Sequence, residues 1–308
     1  MMIKRRKTSS ESIDCPMVSI LCLAYNHEKF LSQALDSFLM QRTDFSFEIV
    51  VGEDCSQDGT AEILSDYAER FPGKIHAIFN TSNIGMIQNA MRTHELCRGK
   101  YIASCEGDDY WTDPEKLQKQ VDFLEKNPDY VLCFHDALTI KDGVISSRPQ
   151  PFSYLRRDVG SHELLMAPQL PTLTVCYRNI IKEIPSTFHH TPILDLCIWS
   201  LLGAHGRGKF IKNINPAIYR IHPGGAISMK AQSIKYKMTA DTLSLISDYW
   251  KSQFSLKLAR KLTLKSVAME FMRLNLSEML IFTVNLPIFY LIRFIQFIKA
   301  QITNHKSL

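Results

Sequence analysis

MVSILCLAYNHEKFLSQALDSFLMQ, residues 17–41, sets the fold class. Its first part, from Met17 to Ala24, is a nearly continuous apolar run, the composition of a strand buried on both faces. Its second part changes period, with Phe30, Leu31, Ala34, Leu35, Phe38 and Leu39 on one helical face. The couplet then repeats. FEIVVGED (47–54) leads to DGTAEILSDYAERF (58–71), which FPG stops. KIHAIFN (74–80) leads to NIGMIQNAMRTHELCRG (83–99), with Gly99 at the expected helix C-cap. YIASCEGDD (101–109) is a fourth strand. This rhythm predicts βαβ units on a mostly parallel sheet with helices on both faces.

In open α/β sheets ligands bind beyond the carboxyl ends of the strands. The polar clusters AYN, GEDCSQD and EGDD all fall at such ends and together read as one site. Glu106, Asp108 and Asp109 crowd like charge onto one strand end, which a bound cation would offset; a hard dication takes carboxylate oxygens and leaves positions for phosphate. Acid clusters at strand ends are also common as solvated turns, so the triplet needs context. No Gly-rich loop follows the first strand, which disfavours a dinucleotide site or a P-loop.

Past Asp109 the pattern loosens. DPEKLQKQVDFLEKN (113–127) predicts a helix with Pro114 in its first turn, and YVLCFHDA (130–137) a strand. Residues 141–170 are polar and Pro-rich, as in a loop region covering a site. LPTLTVCYRN (170–179) reads as a strand, ILDLCIWSLLGAHGRG (193–208) as a helix capped by glycine, and NPAIYRIHPGGAIS (215–228) as a short strand entering a turn. The chain is thus expected to comprise a disordered basic tail (1–14), a nucleotide-binding half (15–112), an acceptor half (113–225) and basic C-terminal helices (226–308).

The net charge of +5 is uneven: residues 226–308 hold 12 Lys and Arg against 4 Asp and Glu, leaving 24 against 27 for the rest. Within that tail, MLIFTVNLPIFYLIRFIQFIKA (279–300) has the length of a membrane span but is interrupted by Asn285, Pro287, Arg293 and Gln296. An interfacial helix with snorkelling cations fits it better than a full span; a helix packed on the domain or on a second subunit is the remaining reading. The eight cysteines include no CxxC pair and several sit in apolar runs, as reduced thiols of a cytosolic protein would. The first 14 residues have no apolar segment of a secretory signal.

Three segments, PMVSILCLAYNHEKFLSQALDSFLMQ, EIVVGEDCSQDGTAEIL and NIGMIQNAMRTHELCRGKYIASCEGDDYW, resemble the family 2 glycosyltransferases in the order and spacing of their motifs. The resemblance is close over about residues 16–112 and thinner to about 225. It implies the glycosyltransferase A fold, a nucleotide-diphosphate sugar donor, a divalent metal (Mn²⁺ or Mg²⁺) and inversion at the anomeric centre. It gives Ala24, Tyr25, Asn26, Glu53 and Asp54 to the nucleotide, with Glu53 standing where the family usually has Asp. Asp58 and Gly59 match a polar turn that also reads as a plain helix start. Asp108 and Asp109 become metal ligands, with Glu106 toward ribose or metal in place of the usual first Asp. Asp195 matches the general base, although an acid at a helix N-terminus is favoured there in any case. Arg220 and His222 match the segment that closes over the diphosphate, Arg220 toward phosphate and His222 toward metal or phosphate.

His135 and Asp136 at a strand end are candidates for the acceptor pocket, and Tyr110 and Trp111 either stack on a sugar or belong to the core. His189 and His190 read as loop residues. The expected partners are a nucleotide-diphosphate sugar, UDP-linked by preference, a glycan or lipid-linked acceptor, and the inner face of a membrane. A nucleic acid is not expected, because the basic residues lack aromatic interleaving. A nucleotidyltransferase and a non-catalytic nucleotide-sugar-binding member are the alternatives, the former disfavoured by the absent Gly-rich loop.

Overall fold

The computed structural model describes residues 15–146, 155–253 and 255–273. The expectations for residues 1–14 and 279–300, and part of that for 141–170, lie outside them. The predicted couplets are observed: β1 (Val18–Ala24), α1 (Leu31–Leu39), β2 (Phe47–Glu53), α2 (Thr60–Arg70), β3 (Ile75–Phe79), α3 (Met86–Glu95) and β4 (Tyr101–Ser104). β1 pairs in parallel with β2 on one side and β4 on the other, and β2 pairs in parallel with β3. All seven residues of β1 are buried because it has no free edge and both faces are covered. Its alternate residues enter different cores: Leu21 and Leu23 join Val50 and Ile102 on one face, and Ile20, Cys22 and Ala24 join Leu31, Leu35 and Phe38 of α1 on the other.

The sheet continues through the second half of the chain in the order β3-β2-β1-β4-β8-β5-β9. After α4 (Lys116–Lys126), β5 (Tyr130–Phe134) and β9 (Arg207–Phe210) pair in parallel, while β8 (Cys176–Arg178) is antiparallel to both β4 and β5. Only three residues of LPTLTVCYRN are strand, since Pro171 turns the preceding residues into a 3-10 turn, Thr172–Thr174. A second sheet joins β10 (Ala217–Ile221) in parallel to β6 (Ala137–Lys141), which forms a hairpin with β7 (Val144–Ile145). The hairpin turns on Asp142 and Gly143, both at positive φ, a pairing that the loop reading of 141–170 passed over. A short α5 (Ser161–Leu165) also lies in that stretch.

Two expected glycine caps are not caps. α3 ends at Leu96 and α6 (Leu194–Gly203) at Ala204, both in right-handed conformation. Gly99 instead allows β4 to approach β1, where a Cβ would run into the Ser19 nitrogen and Val18 backbone. Gly206 serves the same purpose against Asp129, whose carbonyl oxygen would be 2.6 Å from an added Cβ. The basic C-terminal helices are α7 (Gln232–Ser252) and α8 (Leu256–Arg273). Leu243, Ile246, Leu258 and Leu262 carry them into the core that also holds α6. No helix among the described residues is long and apolar enough to cross a membrane.

Candidate active site

β1 connects to β2 on one side of the sheet while β4 lies on the other, so the loops after β1 and β4 part at a topological switch point, the place where open α/β sheets bind ligands. The loop after β1 begins with Ala24, buried, and Tyr25, which is 40% exposed. Asn26 adopts a left-handed φ of 55°, which Asn tolerates better than most residues. Its side-chain oxygen accepts from the Gln57 N–H at 2.8 Å and its own N–H donates to Ser56 Oγ at 2.9 Å, stitching the β1 and β2 loops together.

The two acids at the end of β2 are turned inward. Glu53 accepts from the N–H groups of Cys55 (3.1 Å) and Ser56 (2.8 Å), and holds a turn in which Cys55 has a φ of 57°. Asp54 accepts from Asn80 Nδ2 at 3.0 Å and from the N–H groups of Ile84 and Gly85 at 2.9 Å each, which fixes the entry to α3. Asp58 likewise accepts from the Glu28 and Thr60 N–H groups, the turn reading of that motif. These residues border the site, but their carboxylates are engaged within the protein.

The EGDD segment is different. It is pinned by Gly107, whose N–H donates to Leu23 O at 2.9 Å, and by mutual main-chain bonds between Tyr110 and Ile218 of β10. β10 runs past it, and its period of two places Arg220 and His222 on the same side. Arg220 donates its main-chain N–H to Asp109 Oδ1 at 2.7 Å, Nε to the Asp108 carbonyl at 2.7 Å and a terminal nitrogen to Gln33 Oε1 at 2.7 Å. Its guanidinium also covers the rings of Phe30 and Tyr110 at 4.7 and 5.2 Å. Arg220 is therefore a brace for the acid loop. His222 Nε2 lies 3.0 Å from Asp108 Oδ2, and on the other side His27 Nε2 lies 3.8 Å from the same oxygen. Ligand atoms from His27, Asp108 and His222 all fall within 4.8 Å of one another. His27, directly after the AYN motif, is a site residue that the sequence reading missed. Nothing in its local sequence marks it, since its partners are 81 and 195 residues away.

The electrostatics of the acids are those of a site short of positive charge. Burial, then Asp108 and Asp195, pushes the Glu106 carboxyl up to about 8. Burial and Asp108 push Asp109 well above the carboxylate range, against the hydrogen bond from the Arg220 N–H. Burial lowers the His27 imidazole against the opposing pull of Asp108. Asp195, in the first turn of α6, is raised by burial although the Thr172 hydroxyl donates to its Oδ2. Asp195 in turn adds to the upward push on Glu106.

Other sequence candidates separate. Trp111 is core, 2% exposed, with Nε1 donating to Leu173 O at 2.7 Å and its ring 4.9 Å from that of Phe38. Tyr110 backs Arg220. His135 is buried with neither ring nitrogen partnered among the described residues, and Asp136 pairs with Arg156 at 2.6 Å. His189 and His190 lie in the turn before α6, as read.

The model of the glycosyl transferase family 2 matches residues 19–182. This chain belongs to glycosyl transferase family 2. An uncharacterized protein of Mycobacterium tuberculosis, Rv1520, is 38% identical over 213 residues, 68% of this chain and 60% of its own length. The chain thus spans less than two thirds of that relative. EpsE, a candidate glycosyltransferase of Bacillus subtilis strain 168, is 35% identical over 72% of this chain and 78% of its own. Among solved structures, Staphylococcus aureus TarS 1–349 in complex with UDP-GlcNAc aligns with a TM-score of 0.57 at 16% identity, covering 84% of this chain and 81% of that one. The mannosyltransferase PcManGT of Pyrobaculum calidifontis, in complex with GDP-Man and Mn²⁺, gives 0.58 at 16% identity, covering 88% and 76%. At that identity the likeness establishes the fold, the mostly parallel sheet flanked by helices that the sequence led us to expect.

Proposed function

We propose that this family 2 glycosyltransferase moves a sugar from a nucleotide-diphosphate sugar to a glycan or lipid-linked acceptor in cell-surface polysaccharide synthesis, with inversion at the anomeric carbon and a divalent metal. The observation that carries the reading is the meeting, at one switch point, of a carboxylate and two imidazoles with close-set donor atoms; Asp195, in the first turn of α6 and raised in pKa by burial, supplies the candidate base. The donor set fits a dication: His27, Asp108 and His222 are only 11–16% exposed, and Glu106 is starved of positive charge. A dication bound there would neutralise the diphosphate and the charge left on it as the sugar departs.

The chain's own residues account for the rest. Tyr25, an exposed aromatic in the β1 loop, offers a face for the base, while Asn26, Glu53 and Asp54 hold the loops that form the nucleotide's edge. Arg220 keeps Asp108 in register through the bond from its Nε to the Asp108 carbonyl. Asp195 takes the proton of the acceptor hydroxyl as its oxygen bonds to the anomeric carbon from the face opposite the leaving group. The bond from that carbon to the diphosphate oxygen breaks with its electron pair, and the nucleoside diphosphate leaves. A carboxyl raised toward neutrality suits a base that must both accept and release a proton. UDP is the first choice of carrier, as in one of the aligned structures.

The acceptor class is supported by relatives such as TuaG of Bacillus subtilis, a candidate teichuronic acid biosynthesis glycosyltransferase that is 32% identical over 35% of this chain. The basic excess after residue 226 suits work at the cytoplasmic face of an anionic membrane. Asp195→Asn tests the mechanism: turnover should fall by at least about a hundredfold, the scale of general base catalysis, while donor affinity stays unchanged. Normal turnover by that variant removes Asp195 from the reaction.

A further inference from the structure

Nine of the ten residues of α6 are buried, and Asp195 is the exception. Apart from its own main-chain N–H, the Asp195 carboxylate has one hydrogen-bond partner among the described residues. This is the Thr172 hydroxyl, which donates to Oδ2 from 23 residues earlier in the chain. Of the two carboxylate oxygens, Oδ2 is thus engaged by a side chain and Oδ1 is not. Thr172 is itself held. Pro171 leads into the 3-10 turn Thr172–Thr174, where Thr174 Oγ1 donates back to Pro171 O at 2.7 Å and the Val175 N–H donates to Thr172 O at 3.0 Å. Gln120 Nε2 of α4 donates to Thr174 O at 2.9 Å, and Trp111 Nε1, two residues past Asp109, donates to Leu173 O at 2.7 Å. Each residue of the turn is therefore bonded to a different element: Thr172 to α6, Leu173 to the end of the acid loop, and Thr174 to α4.

We infer that Thr172 is the positioning residue of the candidate base: its hydroxyl holds Asp195 Oδ2 so that Oδ1 meets the acceptor hydroxyl, and the turn keeps that oxygen in register with the acid loop. The inference rests on the assignment of Asp195 as the base and adds what aims it. Thr172 does not touch the reacting atoms. As the acceptor O–H bond breaks, its proton goes to Asp195 Oδ1 and its electron pair forms the bond to the anomeric carbon. The Thr172 hydroxyl keeps its own proton and still donates to Oδ2. Aim matters because a displacement of about 1 Å can lower the rate a hundredfold. The same hydrogen bond favours the ionised carboxylate, against the burial that raises it.

The ionisable groups that feel the Asp195 charge are Glu106 of the acid loop, Tyr177 of β8 and Cys197 of α6. Burial raises Tyr177 well above its usual range and pushes Cys197 up to about 12, so both stay neutral. Glu106, pushed up to about 8, has no contribution from Thr172 and titrates alike in variants at that position.

The test uses the full chain labelled with ¹³C at its aspartate carboxyls, in which Asp195 is the signal missing from Asp195→Asn. Thr172→Val removes the hydroxyl at nearly constant volume. Losing a donor to the ionised form raises a carboxyl, so the Asp195 titration should move up by about one pH unit, the scale of a hydrogen bond to a charged group. Thr172→Ala should do the same, and Thr172→Ser should leave the titration in place. Turnover is read as UDP release from UDP-GlcNAc with Mn²⁺. Thr172→Val should lower kcat at least about tenfold with an unchanged KM for the donor, and shift the acid limb of the kcat profile upward. Thr172→Ser should restore both. An unmoved titration in Thr172→Val and Thr172→Ala overturns the inference, and so does a moved titration with normal kcat. Thr172→Ser as slow as Thr172→Val also overturns it, since the methyl group rather than the hydroxyl would then matter. Where the wild type releases no UDP, the titration alone decides. Normal turnover by Asp195→Asn instead defeats the assignment of the base, whatever Thr172 does to its titration.

Discussion

What an acid does at these strand ends depends on which donors its carboxylate meets, and sequence position alone does not reveal that. Glu53 is one methylene longer than the family's usual Asp, and reaches forward to the N–H groups of Cys55 and Ser56. Asp108, two strands away, meets imidazoles from positions 27 and 222. The motif spelled out the acids and His222, but the pairing with His27 is purely tertiary and left no local signal. A second buried histidine gives a test of burial itself. His94 is 6% exposed, stacks on Tyr177 with planes 7° apart, and is pushed down to about 4 by burial, with Lys182 adding. The folded state therefore keeps His94 neutral while the unfolded chain protonates it near 6.5. Stability from this group is present above about pH 6.5 and is lost as pH falls toward 4, by about 3 kcal/mol at most. Replacing His94 with Phe keeps the stack, so urea denaturation across pH 4–6.5 should show a flatter acid limb than the wild type. Parallel limbs for the two proteins would mean that His94 titrates as if solvated.

Elements differ in how openly their sequence declares them. β1 to α3 were legible because buried parallel strands are continuous apolar runs and their helices keep a 3.6-residue face. β8 was not, because three residues are too few for a period, and its antiparallel direction depends on the strands it is wedged between. The glycines misled for a related reason. A glycine after a helical pattern suggests a cap, yet Gly99 is required by the distance between two strands that lie far apart in the chain. Its neighbours are backbone atoms and cannot rotate away. Gly99→Ala should therefore destabilise the protein by about 2 kcal/mol, within the range for forced overpacking, as measured by chemical denaturation. A loss of less than about 0.5 kcal/mol would show that β4 can slide away from β1 and that Gly99 is not a spacing residue.

At the scale of the whole molecule, one seven-stranded sheet runs through both halves predicted from sequence, so the proposed nucleotide and acceptor sides share one floor. The second sheet and β10 then carry Arg220 and His222 back to the acid loop, closing the site from a segment more than a hundred residues later in the chain. The sequence showed that these motifs exist and in what order. Their convergence follows from the parallel crossovers, which leave every strand of the first half pointing its carboxyl end the same way. The central claim is that this convergence makes a metal-assisted nucleotide-sugar site. Thermal melting of the full chain against UDP-, GDP-, CMP- and dTDP-sugars, with Mn²⁺ and then with EDTA, tests it directly. A ligand that binds only the folded state adds about 2.7 kcal/mol at a hundredfold excess over its Kd, a shift of a few degrees. The account predicts such a shift for one nucleotide class, UDP first, and its disappearance in EDTA. Melting temperatures that no nucleotide-sugar moves, with or without Mn²⁺, would contradict it.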